Sequence, residues 1–258
     1  MGYNKKTMKI NSVSRLFCLG AVLAAASFCS CSGRIDGSIR QDGSSAGAEL
    51  ALEVSLQPRM AALIGNLART LGNAAPGKPV IDGPAIARSL AAAPGVSAAA
   101  LENTGPAAVR GTMRIGSLDE FLAVPGRSGS GGAAAGNLPL LRYDPAGTLL
   151  IHLDRGTGPL VLSLLSEEVN AYLSALLAPV ATGESLTRAE YLGLVATIYG
   201  RPIADEIASA TVEVSLEAPR AVTFIRGGSA RGRTARFSLS LPELLVLEQP
   251  IDYEISWK

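Results

Sequence analysis

Cysteine is scarce in this sequence and confined to one end of it. The 258 residues include Cys18, Cys29 and Cys31, and no cysteine follows residue 31. This distribution excludes an intramolecular disulfide framework in the body of the chain.

Groups that carry catalysis or bind metals are also scarce. His152 is the only histidine, so a Ser-His-Asp triad or a histidine-based metal site would have to use it. It lies between Ile151 and Leu153, which we predict to face the core, so we predict that His152 points into solvent. No pair of carboxylates is singled out for hydrolysis, although Glu167-Glu168 and Asp205-Glu206 are adjacent. We therefore predict no catalytic residue, no metal ligand and no cofactor.

Aromatic residues make up 5% of the chain, against 48% apolar and 17% charged residues. This composition predicts an aliphatic core and argues against global disorder. Beyond residue 30 the chain carries 19 basic and 22 acidic residues, a net charge of −3. A body without excess positive charge gives no support for a nucleic-acid partner.

The N-terminus has the pattern of an export signal. Lys5, Lys6, Lys9 and Arg15 precede an apolar stretch at 16–28. That stretch has the length of a signal-peptide core and is too short to span a bilayer. No later stretch reaches about 18 apolar residues, so no second membrane span is expected. We predict that residues 1–30 are a signal peptide.

Residues 28–31, Phe-Cys-Ser-Cys, resemble the lipobox of bacterial lipoproteins. Cys31 follows the small Ser30, as the modified cysteine should, whereas Cys29 follows Phe28. Phe28 in place of the commoner leucine departs from the pattern and leaves the choice between Cys31 and Cys29 open. The resemblance implies acyl chains, palmitate among them, on Cys31, and a place in the cell envelope on a bacterial membrane, facing the periplasm or the cell surface. With a first strand beginning near Gly37, the tether would be roughly 20 Å long.

The body mixes two hydrophobic periodicities. Alternating apolar residues predict strands with one buried face, as in Leu50, Leu52 and Val54 or Ile251, Tyr253 and Ile255. Stripes at helical spacing lie near 60–71, 169–176 and 191–198. Thr187 with Glu190 predicts a capping box before the last stripe. We therefore predict an α+β fold in which antiparallel sheets pack against helices.

The order of elements suggests two ββααββ(α) rounds. The predicted halves are residues 31–125 and 138–258, joined by a glycine-rich linker at 126–137. Ancient duplication and chance similarity of strand-turn-strand patterns both explain the order. The linker lacks the Gly-Lys-Ser/Thr of a phosphate-binding loop.

One cluster of basic residues stands out around Gly227-Gly228-Ser229. It consists of Arg226, Arg231, Arg233 and Arg236. In a protein fixed near a membrane, these arginines could contact anionic headgroups. A solvated loop is the alternative.

The body resembles two groups of known proteins, the first over most of the mature chain and the second over its opening alone. The chain resembles uncharacterised lipoproteins of spirochaete type in segments 175–185 (ALLAPVATGES) and 189–201 (AEYLGLVATIYGR). It also resembles them in its ending, LPELL at 241–245 and PIDYEISW at 250–257. The opening from Arg40 to Leu71 is similar to the N-terminal module of LppM-type lipoproteins, which implies an α+β module that handles lipids or hydrophobic ligands.

The sequence thus predicts a non-enzymatic envelope lipoprotein, with the membrane as a partner through its acyl chains. Its body is expected to bind a lipid, a hydrophobic ligand or a partner protein. An apolar groove between helices and sheet would favour a hydrophobic ligand, and a filled core would favour a protein. A periplasmic hydrolase and a purely structural assembly component are the alternatives.

Overall fold

The computed structural model describes residues 31–42, 45–71, 79–122, 141–144, 146–158, 162 and 167–258. These residues form an α+β fold with two sheets and helices packed against them, so the predicted fold class is confirmed. The predicted signal peptide at 1–30 and the glycine-rich linker at 126–137 lie outside the described residues.

The first half begins with a long hairpin of strands β1 (Cys31–Asp42) and β2 (Ser45–Leu56). The expectation that the first strand begins near Gly37 was wrong, because β1 begins at Cys31. Gly33 and Gly37 occupy two inward positions of β1, so only Ile35 and Ile39 give an apolar signal there. The side chain of Leu50 on the neighbouring strand β2 fills the space beside Gly37, because a Cβ added to Gly37 would lie 2.6 Å from Cδ2 of Leu50.

The rest of this half follows the predicted order closely. Helices α1 (Pro58–Thr70) and α2 (Gly83–Ala91) precede the hairpin of β3 (Val96–Gly105) and β4 (Ala108–Ile115), and a short helix α3 (Leu118–Leu122) follows. Asp82 caps α2 by accepting a hydrogen bond from the Ala85 amide, and Ser117 does the same for Glu120 before α3.

The second half contains the remaining described elements. It opens with β5 (Leu141–Asp144) and β6 (Thr148–Leu153) and then turns to helices α4 (Glu167–Ala175), α5 (Pro179–Thr182), α6 (Arg188–Tyr199) and α7 (Arg201–Ser209). Strands β7 (Thr211–Glu217), β8 (Val222–Arg226), β9 (Ser229–Arg231) and β10 (Thr234–Ser240), the helix α8 (Leu241–Val246) and β11 (Ile251–Trp257) complete it. The capping box predicted at Thr187 and Glu190 is present at the start of α6.

Two sheets are formed among the described residues. The large sheet has the order β3-β4-β2-β1-β7-β10-β9, and the small sheet has the order β5-β6-β11-β8. Strand pairs are antiparallel except for β1 and β7, which run parallel and join the two halves of the chain. The large sheet is therefore continuous across the predicted boundary between the halves.

The two halves repeat an order of elements but not a pattern of pairing. The four strands of the first half are adjacent in the large sheet. In the second half, the hairpin of β5 and β6 lies in the small sheet, whereas β7 and β10 lie in the large one. The two halves therefore share the succession of strands and helices but not the pairing of their strands.

The core fills the space between the inner face of the large sheet, the helices and the small sheet. Phe237 of β10 contacts Tyr253 of β11 with ring centroids 4.8 Å apart, which ties the two sheets together. Glu206 of α7 accepts a hydrogen bond from the Met60 amide and so caps α1 across the two halves. The largest fully buried side chains are Trp257, Tyr191, Met60, Leu90, Met113 and Ile207.

We expect Gly111→Ala to destabilise the fold by more than about 2 kcal/mol, because an added Cβ would lie 2.0 Å from the backbone oxygen of Ala100 on the neighbouring strand. Chemical denaturation of the purified protein measures the change in the free energy of unfolding. Gly193→Ala is the matched control: it lies within α6 with nothing near its added Cβ, and should stabilise by up to about 1 kcal/mol. Equal stabilities for the two variants would contradict this account of the β3–β4 pair.

Candidate functional site

Cys31, the predicted lipidation site, is the first residue of β1 and lies opposite Leu56 of β2. No stretch of free chain therefore separates the cysteine from the sheet. The tether of roughly 20 Å expected from the sequence is corrected to essentially none. An acyl chain on Cys31 would hold the edge of the body at the lipid surface.

The surface around Cys31 is poor in charge. The chain segments that meet there are joined by backbone hydrogen bonds from Leu56 to Ala107 and from Val80 to Pro106, of 2.9 and 2.8 Å. Arg59 is the cation among them, and its nearest described acid is Glu206 at 3.9 Å. We call this surface the anchor end; it comprises Cys31 and residues 56–59, 79–81 and 106–107.

The predicted headgroup cluster does not share this end of the sheet. Because β7 runs parallel to β1 from Thr211 opposite Ser32 to Glu217, the residues that follow Glu217 lie at the far end of the strands. Arg231 pairs with Thr234 there, roughly 20 Å from the anchor end at about 3.3 Å per residue. The headgroup contact stays a prediction, and this placement does not favour it.

Two of the four arginines in that cluster also have acidic partners. Arg233 contacts Glu217 across the β7–β10 pair, and Arg226 lies 3.5 Å from Glu254 on β11. Both arginines lie at strand ends of the two sheets, and each positive charge already has an acidic partner.

The outer face of the large sheet carries an ordered pattern of charge. In the row of charged residues that lies nearest the anchor end, Glu102, Arg110, Glu53, Arg34 and Glu213 lie side by side on five successive strands. The sign alternates at every step. We call the outward side chains of the four central and edge strands the charged face; they are Ala98, Ala100 and Glu102 of β3, Arg110, Thr112 and Arg114 of β4, Glu49, Ala51 and Glu53 of β2, and Arg34, Asp36 and Ser38 of β1.

Some charges on this face are paired within it and others are not. Arg34 lies 2.7 Å from Asp36 and also interacts electrostatically with Glu53, and Glu49 lies 2.5 Å from Arg40 and 3.4 Å from Arg114. Within the part of the chain that the structure describes, Arg110 and Glu102 form no ion pair, although their strands are adjacent. A shallow depression of about 360 Å³ lies among these side chains. Its lining includes the charged side chains of Arg34, Asp36, Glu53, Glu102 and Arg110.

His152 occupies a site that the sequence did not reveal. Its side chain is 9% exposed, so the prediction of a solvated histidine was wrong. Nδ1 lies 2.6 Å from Oδ1 of Asp252, the residue opposite it on β11. Nε2 lies 3.2 Å from Oδ2 of Asp154, which begins the turn after β6. The strand pattern could not show this, because Asp252 comes from a distant strand and supplies the polar contact that makes burial possible.

The carboxylates favour the protonated ring. The hydrogen bond to Asp252 raises the pKa of His152 above its ordinary value, against the effect of burial, and Asp154 contributes in the same direction. Burial acts to raise the pKa of Asp154, but hydrogen bonds from the Thr157 amide and from His152 outweigh it, and the pKa is lowered. In the protonated ring both nitrogens donate to carboxylates, and that form offers no lone pair for a metal or for general-base catalysis.

Other candidate groups have structural roles. Residues 43–47, Gly-Ser-Ser-Ala-Gly, have the spacing of a hydrolase nucleophile elbow, but Ser45 pairs with Asp42 in an antiparallel hairpin. A nucleophile elbow needs a strand-to-helix turn. No group of three metal-ligating side chains occurs among the described residues. Within the same residues, no helix is long and apolar enough to cross a bilayer.

Comparisons with known proteins leave the family open. No protein-family model matches the chain, and no curated protein matches it. Among solved structures, the NMR structure of the folded domain of LppM from Mycobacterium tuberculosis is similar over 88% of this chain and 90% of that domain, with 12% identity and a TM-score of 0.32. A score this low supports no conclusion about fold or function. The resemblance to spirochaete-type lipoproteins stays a prediction.

The His152 cluster predicts a specific dependence of stability on pH. Because the pKa of His152 is raised in the folded state, its contribution is complete below about pH 6.5 and is lost as the pH rises through the folded pKa. The pKa of Asp154 is lowered, so its contribution is present above about pH 4 and is lost in stronger acid. The cluster should therefore stabilise most between about pH 4 and pH 6.5.

Denaturation of the protein and of His152→Gln at pH 5.5 and pH 8.5 measures this effect. We expect the substitution to lower the free energy of unfolding by about 1.5–3 kcal/mol at pH 5.5 and by clearly less at pH 8.5. Thr223→Gln, an exposed position on β8 in the same sheet, is the control and should show no such difference. If His152→Gln lowers the free energy of unfolding equally at both pH values, protonated His152 does not stabilise the folded state.

Proposed function

We propose that the protein is a lipid-anchored bacterial envelope protein that works by binding a protein partner. The observation that carries the proposal is the position of Cys31 at the first residue of β1, opposite Leu56. Acyl chains on that cysteine would fix the anchor end against the bilayer, with the strands of the large sheet directed away from it. Two or more acyl chains suffice for stable anchoring.

The character of the anchor end supports this orientation. Leu56, Pro58, Val80, Ile81 and Pro106 meet there and are partly or fully accessible. Surface of this kind, on which Arg59 is the exposed charge, loses little on contact with the interfacial region of a membrane, whereas a strongly acidic surface would be repelled by anionic headgroups.

The surface pattern favours a protein partner over an enclosed lipid. The core is filled by large side chains such as Trp257, Tyr191 and Met60. The depressions on the outer face of the large sheet and beside α2 both have the charged side chains Arg110 and Glu102 in their lining. Such a polar face suits recognition by complementary charge. A non-enzymatic role agrees with the His152 cluster, whose ring nitrogens both face carboxylates.

Mass analysis of the mature N-terminus tests the anchor. We expect a chain that begins at Cys31 and carries the mass of a diacylglyceryl group. Cys31→Ser should remove that mass, and Cys29→Ser should leave it unchanged, which decides between the two cysteines. An unmodified N-terminus, or one that begins well past residue 31, would contradict the proposal.

Fluorescence quenching tests the orientation of the body. A probe on Ala107→Cys should be quenched by nitroxide-labelled lipid headgroups after reconstitution into vesicles, because Ala107 belongs to the anchor end. A probe on Arg231→Cys, at the far end of the strands, should not be quenched. Acylated Cys31 has no free thiol, so each variant carries a single labelling site. Stronger quenching at position 231 would instead favour the headgroup contact of the arginine cluster.

A further inference from the structure

Two adjacent strands of the charged face carry opposite charge. The outward side chains of β4 are Arg110, Thr112 and Arg114, and those facing them on β2 are Glu53, Ala51 and Glu49. One strand is thus basic and its neighbour acidic, with a short side chain on each at the centre. Consider a second copy rotated by 180° about an axis that lies above the face, parallel to the strands and midway between β4 and β2. The basic strand of each copy then faces the acidic strand of the other.

We propose that the charged face binds a second copy of this chain about that axis. In this arrangement Arg110 faces Glu53 of the partner subunit, and the reciprocal contact follows from symmetry. On either side of this pair, Glu102 faces Arg34 of the partner subunit. Arg110 and Glu102, which form no ion pair among the described residues, would each obtain one, and Glu53, which already interacts with Arg34, would gain a second cationic neighbour.

The remaining rows of the face agree with this pairing. Thr112 would meet the partner's Ala51, and Arg114 would meet the partner's Glu49. On the outer strands, Ala100 would meet the partner's Asp36 and Ala98 the partner's Ser38. No two like charges oppose one another, and the short side chains at the centre allow two sheets to approach to about 10 Å.

Anchoring of both copies in one membrane limits the possible two-fold axes. A pair of copies anchored in one bilayer needs an axis along the membrane normal, so that both anchors point the same way. An axis along the strands meets this condition, because Cys31 lies at the same end of β1 in both copies. The inference therefore rests on the proposed function, which directs the strands away from the membrane.

The size of the interface indicates a weak dimer. Four strands about 4.8 Å apart, each contributing five residues of about 3.3 Å, give a face of roughly 320 Å² per copy. The total of roughly 640 Å² lies below the range of stable complexes in solution. Anchoring both copies in one membrane raises their effective concentration, so association is expected in vesicles and not in dilute solution.

Crosslinking by a short thiol-specific reagent tests the contact, because facing Cα atoms of two sheets about 10 Å apart are too distant for a direct disulfide. Full-length mature protein carrying Thr112→Cys is mixed in vesicles with protein carrying Ala51→Cys, a methylene-bridged bis-methanethiosulfonate is added, and the crosslinked dimer is measured on a gel. The mixture should crosslink several-fold more than either variant alone. Thr223→Cys mixed with Ala51→Cys is the control and should not crosslink above background, because position 223 lies on the small sheet.

Charge reversal then tests the pairing. R110E on both crosslinking copies should lower the dimer yield about tenfold, because two attractions become repulsions. R110E on the T112C copy combined with E53R on the A51C copy should restore the yield, since each reversed charge then meets its opposite. R201E, on the exposed surface of α7, should have no effect.

The outcomes are decisive in each direction. Crosslinking that is lost with R110E and restored by the mixed variants supports the dimer. Absence of crosslinking, or a loss that the mixture does not restore, overturns it. Failure of the proposed function is seen separately, as an N-terminus without acyl mass or a probe at position 107 that is not quenched.

Discussion

The parallel pairing of β1 with β7 is the interaction on which the rest of the structure depends. It places Ser32 opposite Thr211 and so joins the first hairpin of the chain to a strand that follows all the long helices. Without it, the large sheet would separate into two pieces, each with an open edge. The same pairing also fixes which end of the second half lies near Cys31, and therefore what a membrane at that cysteine would meet.

Much of the local structure could be predicted from the sequence. Helix starts follow from short-range chemistry, and the cap at Asp82 and the capping box at Thr187 lie where their residue types predict. Strands with one buried face, such as β2 and β7, show their alternation directly. Strand β1 was placed too late, because glycine at inward positions 33 and 37 hides its periodicity.

Features that depend on distant contacts could not be predicted in the same way. His152 pairs with Asp252, and only the register of β6 with β11 brings these residues together. Likewise, the alternation of charge on the outer face follows from the order of strands in the large sheet. Each strand alone shows an ordinary polar face, as Arg110, Thr112 and Arg114 do on β4. Signals of this kind become visible only once the neighbouring strands are known.

The absence of a tether at Cys31 has a consequence for the order of events during maturation. Strand β1 lies between β2 and β7, so a folded body would hold the processing site within a paired strand. If Cys31 is acylated and the chain is cut before it, as proposed, the enzymes responsible would need an accessible, extended segment. The partner strand β7 begins roughly 180 residues later, and pairing over such a separation is slow. Modification would then have to precede this pairing, because the completed sheet would close over the site.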